Sequence, residues 1–161
     1  MKTLSLACAV TLALTALAAP FAWAEEPDPR TEYKEAVEPI CKTDTEANKR
    51  ILKGVKADVR KGRLKLAGQK FSKAGGALNR AHAELAAVPQ PSEYKAKLAK
   101  WLSLIATEVT LFKKAGSQLK AENKTAAQAT VIRLQHNANQ ANNQVIGFEF
   151  KYCRFDTSKF T

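Results

Sequence analysis

The sequence predicts an all-α fold, an antiparallel up-down-up-down four-helix bundle closed by a disulfide. Two observations lead to this prediction. Apolar residues recur at alternating intervals of three and four through successive segments, which is the pattern of helices that pack on other helices. Two cysteines, Cys41 and Cys153, flank those segments. Short connections make neighbouring helices antiparallel, so the first and last ends of a four-helix chain meet at one pole, where the cysteines would pair.

The first predicted helix covers residues 44–61. A capping box of Thr43 and Glu46 should begin it, and Gly62 can end it in the left-handed conformation. Its apolar residues recur every four positions, and they are Ala47, Ile51, Val55 and Val59.

The second predicted helix covers residues 63–88 and stops at the two prolines of the break Pro89–Pro91. It has the most regular stripe: Leu64, Ala67, Phe71, Ala74, Leu78, Ala81, Leu85 and Val88. Gly75 and Gly76 lie in its middle, where glycine is unfavourable in a helix. They predict either the close approach of a neighbouring helix or a local bend.

The third and fourth predicted helices cover residues 93–121 and 125–147, and Ser92 and Thr125 can cap them. The third stripe consists of Leu98, Trp101, Ile105, Glu108, Phe112, Ala115 and Leu119. The fourth consists of Ala127, Val131, Leu134, Ala138, Ala141, Val145 and Phe148. Glu108 is the one polar member, and we expect it to be a partly exposed edge residue or to pair with a lysine.

The first 24 residues have the features of a secretory signal peptide. Lys2 precedes an uncharged apolar run, and Ala22-Trp23-Ala24 supplies the small-x-small pattern of a cleavage site. We therefore expect cleavage between Ala24 and Glu25. An uncleaved N-terminal anchor is the alternative, because the run approaches the length that spans a membrane. After cleavage the protein is expected to be secreted or extracytoplasmic, with no transmembrane span.

Cleavage removes Cys8 and leaves Cys41 and Cys153. An even pair of cysteines in an exported protein predicts a disulfide. On the chain-entropy estimate, a loop of about 100 residues contributes about 4.7 kcal/mol of stability. A catalytic thiol is the alternative, and it is disfavoured because neither His82 nor His136 is near a cysteine in sequence.

The two ends of the mature chain differ in character. Residues 25–43 are predicted to be an acidic N-terminal tail, in which Tyr33 to Ile40 can form an extra helical turn that stops before Pro39. The bundle domain covers residues 44–161. It ends in an aromatic strip that is expected to lie over the pole and pack around the disulfide, with an exposed docking strip as the alternative. The strip contains Phe148, Phe150, Tyr152 and Phe155.

Motifs for metal, haem and catalysis are missing from the sequence. The mature chain has two histidines and no Glu-x-x-His pair, no Cys-x-x-Cys-His, no His-Glu-x-x-His, no Gly-x-Ser-x-Gly and no phosphate-binding glycine loop. His82 and His136 lie off the apolar stripes and are expected at the surface. We therefore expect no cofactor, no metal and no enzymatic activity.

Charge is the strongest functional signal. The whole chain has a formal net charge of +11, and residues 49–80 contain eleven bases and one acid, a net charge of +10. Such a segment can attract polyanions. The alternative is a solvated face that maintains solubility, either alone or with the acidic residues 25–46 folded over it. The predicted anion-binding face (the basic face below) consists of Lys49, Arg50, Lys53, Lys56, Arg60, Lys61, Arg63, Lys65, Lys70 and Lys73.

Two further patterns bear on partners. Phe71 is the only aromatic residue in the basic segment and belongs to a core stripe, so a dedicated nucleic-acid partner is not expected. Residues 135–144 are rich in amides. Their side chains either form a polar face, hydrogen-bond between helices or bind a polar polymer such as a glycan.

Four stretches carry a resemblance: Val37–Lys42, the break Val88–Pro91, Asn137–Asn143 and the ending Tyr152–Phe160. In these the chain resembles small exported helical proteins of actinobacteria. That group has no assigned activity, so the resemblance implies secretion and a cysteine pair but transfers no functional residues.

The sequence therefore predicts a secreted, non-enzymatic bundle that binds anionic cell-envelope components, either a polymer or lipid head groups, through the basic face. A small-ligand carrier with a cavity between the helices is the alternative function.

Overall fold

The computed structural model describes residues 28–156, so the predicted signal peptide and its cleavage site lie outside the described residues. Within that range the chain forms helices, turns and bends and no strand. The helices are α1 (Pro29–Ile51), α2 (Val55–Arg60), α3 (Leu64–Ala87), α4 (Lys95–Lys120) and α5 (Lys124–Gln144). Short 3-10 turns occur at Ser92–Tyr94 and Ile146–Phe148.

Four long helices, α1, α3, α4 and α5, form the predicted bundle. Helix α3 packs along α4, α4 packs along α5, and α1 packs on α3. Short connections join α3 to α4 and α4 to α5, and α2 with its flanking turns joins α1 to α3. Helices α1 and α4 therefore run in one direction, while α3 and α5 run in the other. The predicted fold class is confirmed. The small helix α2 caps one end of the bundle (the α2 end), and the first turns of α1 and α4 lie at the opposite end.

The first helix begins at Pro29, which is 15 residues before the predicted start at residue 44. Asp28 caps it by accepting a hydrogen bond from the backbone N–H of Arg30 at 2.9 Å, and Pro29 occupies a first-turn position that needs no N–H donor. Residues 29–43 are helical, so the helical turn predicted from Tyr33 to Ile40 is present as part of the longer α1, whereas the predicted boundary between tail and bundle at residue 43 is wrong. Pro39 does not end the helix.

Helix α1 tolerates its internal proline because one of its faces is buried. Tyr33, Val37 and Cys41 recur at intervals of four and are all buried against the bundle. Burial of these side chains stabilises the helix enough to offset the hydrogen bond that Pro39 cannot donate. Cys41 consequently lies inside α1, not just before the first helix as the sequence had suggested.

The predicted helix 44–61 is in fact broken in two. Helix α1 ends at Ile51, and Gly54, with φ of +75°, redirects the chain into α2. The predicted end at Gly62 is correct: this residue has φ of +73° and separates α2 from α3.

Helices α3 and α4 approach closely along a line of small residues. A Cβ atom built on Gly68 would lie 2.6 Å from the carbonyl oxygen of Gly116, and one built on Gly116 would lie 2.5 Å from Oγ of Ser72. A Cβ on Gly75 would lie 2.9 Å from Cβ of Phe112. The close approach predicted at Gly75 is thus present. Nothing lies within 4 Å of a Cβ built on the neighbouring Gly76.

The C-terminal segment, residues 145–156, does not lie across the pole but runs back along the bundle between α1 and α5. Glu38 of α1 accepts hydrogen bonds from the backbone N–H groups of Lys151 and Tyr152, the latter at 3.0 Å. Asn142 of α5 both accepts from and donates to the backbone of Phe155, at 2.8 and 2.9 Å. The segment therefore joins the two outer helices.

The predicted disulfide between Cys41 and Cys153 is present, with the two Cα atoms 5.0 Å apart and 112 positions apart in sequence. It attaches the C-terminal segment to the middle of α1. Beside it, Phe148 contacts the rings of Tyr33 and Tyr94, and Phe150 contacts Trp101. Phe148 and Phe150 are buried, so packing around the disulfide, and not an exposed docking strip, describes them.

Glycine substitutions test the close approach of α3 and α4. We expect Gly68→Ala to lower the free energy of unfolding by about 1–3 kcal/mol, because the new methyl group would overlap the α4 backbone. The matched change Gly76→Ala, at an open helical position, should raise it by about 0.5–1 kcal/mol. Urea unfolding of both variants provides the measurement. Equal stabilisation by both alanines would contradict the packing described.

Candidate functional site

The basic face surrounds the α2 end of the bundle. Nine of its ten members are exposed, and Lys70 is half-buried. They come from the last turns of α1, from α2 and its flanking loops, and from the first half of α3. Helix α5 starts at the same end and adds the exposed Lys124. The structure therefore brings the predicted cations together on one end of the molecule.

Asp58, the single acid of the basic segment, holds α2 on α3. Its side chain is buried, and it accepts hydrogen bonds from Nζ of Lys70 at 2.6 Å and from Nη2 of Arg63 at 2.5 Å. Nζ of Lys70 also donates to the carbonyl oxygen of Lys53 at 2.8 Å. The hydrogen bonds from Lys70 and then Arg63 lower the pKa of Asp58. Two of the ten predicted cations thus have a structural partner.

A third member, Lys65, pairs with Glu122 at 3.5 Å. Both side chains of this pair are mostly exposed, so water screens the interaction and it contributes little stability. Lys49, Arg50 and Lys61 remain exposed on the surface. These cations are available to an external anion.

The acidic half of α1 lies at the opposite end of the bundle. Near the start of α1, the guanidinium of Arg30 sits 5.7 Å from the ring centroid of Tyr94, and Tyr33 contacts Phe148. These contacts fix the beginning of α1 beside the beginning of α4. The acids of residues 28–38 therefore do not fold over the basic face, although a solvated face does not require them to. They are Asp28, Glu32, Glu35 and Glu38.

Two open grooves flank α2. The first, with a volume of about 430 Å³, lies between the end of α1 and the C-terminal segment (the α1 groove). Phe112 and Phe155 supply apolar surface there, and Asp44 lies on its wall. The second, about 580 Å³, lies between α2 and α5 (the α2–α5 groove). Both volumes fall in the range of small-molecule sites.

Glu108 is neither an edge residue nor the partner of a lysine, so that prediction was wrong. It is 0 % exposed in the middle of α4. Nδ2 of Asn137, from α5, donates to its Oε1 at 3.2 Å and to the carbonyl oxygen of Leu104 at 2.8 Å. Oε2 has no hydrogen-bond partner within the described residues. Burial raises the pKa of Glu108 to about 9, which keeps this carboxyl protonated at neutral pH.

Asp44 is the second acid with a raised pKa. It lies half-buried on the wall of the α1 groove, and Nδ2 of Asn48 donates to both its oxygens at 3.0 Å. Burial raises its pKa to about 6, against the opposing effects of Asn48 and the positive charge of Arg80. The charge of Asp44 in turn adds to the rise at Glu108. The sequence does not predict that Asp44 and Glu108 lie near each other. An apolar stripe shows which face of a helix is buried, but not which residues of two helices lie at the same height along the bundle.

The amides of residues 135–144 are divided between surface and core. Asn137 of α5 donates to Glu108 of α4, so the interhelical alternative describes this side chain, whereas Asn142 bonds to the backbone of Phe155 in the C-terminal segment. Of the two histidines, His136 is exposed and His82 half-buried. In residues 28–156, no three His, Cys, Asp or Glu side chains form a group that could hold a metal ion.

Comparison of the chain with protein-family models, with curated proteins and with solved structures finds no match. None of the helices between residues 28 and 156 is both long enough and apolar enough to cross a membrane.

The buried carboxyl of Glu108 predicts a pH-dependent stability. Because its pKa in the folded protein lies above the ordinary value of 4.5, the folded state binds the proton more tightly than the unfolded chain does. Above the pKa of Asp44, the free energy of unfolding should therefore fall as pH rises from about 6 to about 9, by at most about 1.4 kcal/mol per pH unit. Glu108→Gln, a neutral mimic of the protonated acid, should flatten this decline. Urea unfolding across that range measures it.

The control for this prediction is Glu84→Gln, which removes an exposed carboxyl from α3. It should leave the slope of the wild-type protein in place. A slope in Glu108→Gln equal to that of the wild type would show that another group carries the pH dependence.

Proposed function

We propose that this is a secreted, non-enzymatic protein that binds anionic components of the cell envelope, a polymer or lipid head groups, through its basic face. The observation that carries the proposal is the separation of charge along the bundle. Exposed cations occupy the α2 end, and the acids of the first half of α1 are held at the other end by the contacts of Arg30 and Tyr33. An anionic surface would orient such a molecule with its α2 end inward.

The magnitude of the expected attraction supports a surface as the partner. A Lys or Arg near an anionic membrane contributes about 1 kcal/mol, and several act together. The exposed members of the basic face come from three successive helices, so they can meet a broad surface at once. Salt should weaken the interaction, because exposed charges are screened over about 10 Å at 0.1 M ionic strength.

Extracytoplasmic location is part of the proposal. It rests on the predicted signal peptide, on the resemblance to exported helical proteins of actinobacteria, and on the disulfide between Cys41 and Cys153. Disulfides of this kind persist in oxidising compartments.

The small-ligand carrier is the second candidate, and the α2–α5 groove is the observation that favours it. The groove lies at the surface beside the cations, not between the central helices. Alanines fill much of the centre, among them Ala67, Ala74, Ala115, Ala127 and Ala141, all of which are buried.

Binding to vesicles tests the proposed function. We expect the protein to bind vesicles that contain phosphatidylglycerol, and not neutral vesicles, at low salt. The triple variant Lys49→Gln, Lys53→Gln and Lys61→Gln should bind about a hundredfold more weakly, on the basis of about 1 kcal/mol for each cation. Co-sedimentation at 50 and 500 mM salt measures both effects. The same variant should elute earlier from immobilised anionic wall polymer.

A charge-matched control separates a face-specific effect from a change in net charge. Lys95→Gln, Lys97→Gln and Lys100→Gln remove three exposed cations from the start of α4, at the opposite end of the bundle. This control should bind within about threefold of the wild type, because these cations would point away from the surface. Equal weakening by both triple variants would contradict the proposed face.

A further inference from the structure

The α2–α5 groove has an apolar lining that comes from four helices. Phe71 of α3 and Leu119 of α4 lie at the bottom, Val59 of α2 forms one wall, and Val131 of α5 forms the other. Ile132, on the outer edge, is 63 % exposed, which is unusual for so large an apolar side chain. The groove therefore offers a continuous apolar surface to a ligand.

The α2–α5 groove exists because α2 is attached to α3 and not to α5. The hydrogen bonds from Lys70 and Arg63 to Asp58 fix α2 on α3. The six residues of α2 pack on α3, and they do not fill the space in front of α5. The apolar faces of α2 and α5 thus remain apart, with Val59 only half-buried.

The rim of the groove is cationic and contains no acid. Arg60 and Lys124 stand on opposite sides of it, and Lys56 is also on its lining. Arg60 and Lys124 are exposed, and neither belongs to an ion pair between residues of the described range. The remaining polar lining residues, Gln128 and Gln135, carry amides. An anionic group at this rim would meet two cations and no repelling carboxylate.

We propose that the α2–α5 groove binds a single acyl chain that carries an anionic head group. The acyl chain lies on Phe71, Leu119 and Val131, where each methylene is removed from water. The head group, a carboxylate or a phosphate, is bound between Arg60 and Lys124. This deepens the proposed function and rests on it for the source of the ligand, because an envelope surface supplies such amphiphiles next to the groove.

Calorimetric titration with monomeric amphiphiles tests the inference. The probes are tetradecanoate and a lysophosphatidate with the same acyl chain, each used below its critical micelle concentration, and tetradecanol is the neutral comparison. We expect saturable binding of at least one anionic probe, at least tenfold tighter than that of the alcohol. Decanoate should bind at least tenfold more weakly than tetradecanoate, because it buries four fewer methylenes. Comparable affinity for the alcohol would overturn the role of the rim.

A pair of isoleucine variants locates the site. Ile132 and Ile146 are both 63 % exposed, so replacing either with Glu adds one negative charge at an exposed position. Ile146 lies in the 3-10 turn after α5 and does not line the groove. We expect Ile132→Glu to weaken amphiphile binding about tenfold or more, because it puts a charged carboxylate on the apolar lining beside the acyl chain. Ile146→Glu should leave binding within about twofold, and equal effects would overturn the site.

The vesicle experiment distinguishes failure of this inference from failure of the proposed function. The triple variant used there changes Lys49, Lys53 and Lys61, none of which lines the α2–α5 groove. Retained vesicle binding with no saturable binding of either anionic probe would overturn the inference alone. If the wild-type protein binds an anionic probe saturably and the Ile132→Glu variant does not, the inference is supported, whether or not the protein binds vesicles.

Discussion

The attachment of the C-terminal segment to α1 is the constraint on which the rest of the structure depends. Helices α3, α4 and α5 form a continuous antiparallel set, because each is joined to the next by a short turn and packs along it. Helix α1 packs on α3 on one side only. Its other side is closed by residues 145–156, through the hydrogen bonds of Glu38 and the disulfide of Cys41 with Cys153.

The fixed direction of α1 determines the charge distribution of the molecule. With α1 held along its whole length, the acids in its first half lie at one end of the bundle, and the lysines and arginines of its last turn join those of α2 and α3 at the other. A tail of residues 25–43 free to move would instead be able to neutralise the basic face. The same attachment thus stabilises the fold and leaves the cations exposed to an external anion.

Much of the fold could be predicted from the sequence, because amphipathic stripes of this regularity fit one architecture. The boundaries of α3, α4 and α5 lie within a few residues of the prediction, and the disulfide pairing was correct. The sequence predicts too short an α1, because Thr43 and Glu46 indicate a helix start and Pro39 indicates a stop before it. Tertiary packing of Tyr33, Val37 and Cys41 overrides the local preference of proline.

The candidate site could be predicted from the sequence less completely than the fold. Composition identified the basic segment, because charge can be counted without knowing the fold. Other features depend on how neighbouring helices are rotated and on which residues lie at the same height along the bundle. These features are the hydrogen bond from Lys70 to Asp58 and the buried pair of Glu108 and Asn137. The α2–α5 groove depends on the break in the helix at Gly54. The spacing of four between Ile51 and Val55 predicts a continuous helix instead.

Amide hydrogen exchange of the oxidised protein and of its reduced, alkylated form tests this account most directly. We expect reduction to increase exchange in residues 29–51 and 145–156, while α3 and α4 stay protected by their mutual packing. Unchanged protection of α1 after reduction would show that the covalent link to Cys153 does not hold this helix in place. Simultaneous loss of protection in every helix would show that α3, α4 and α5 have no stability apart from α1.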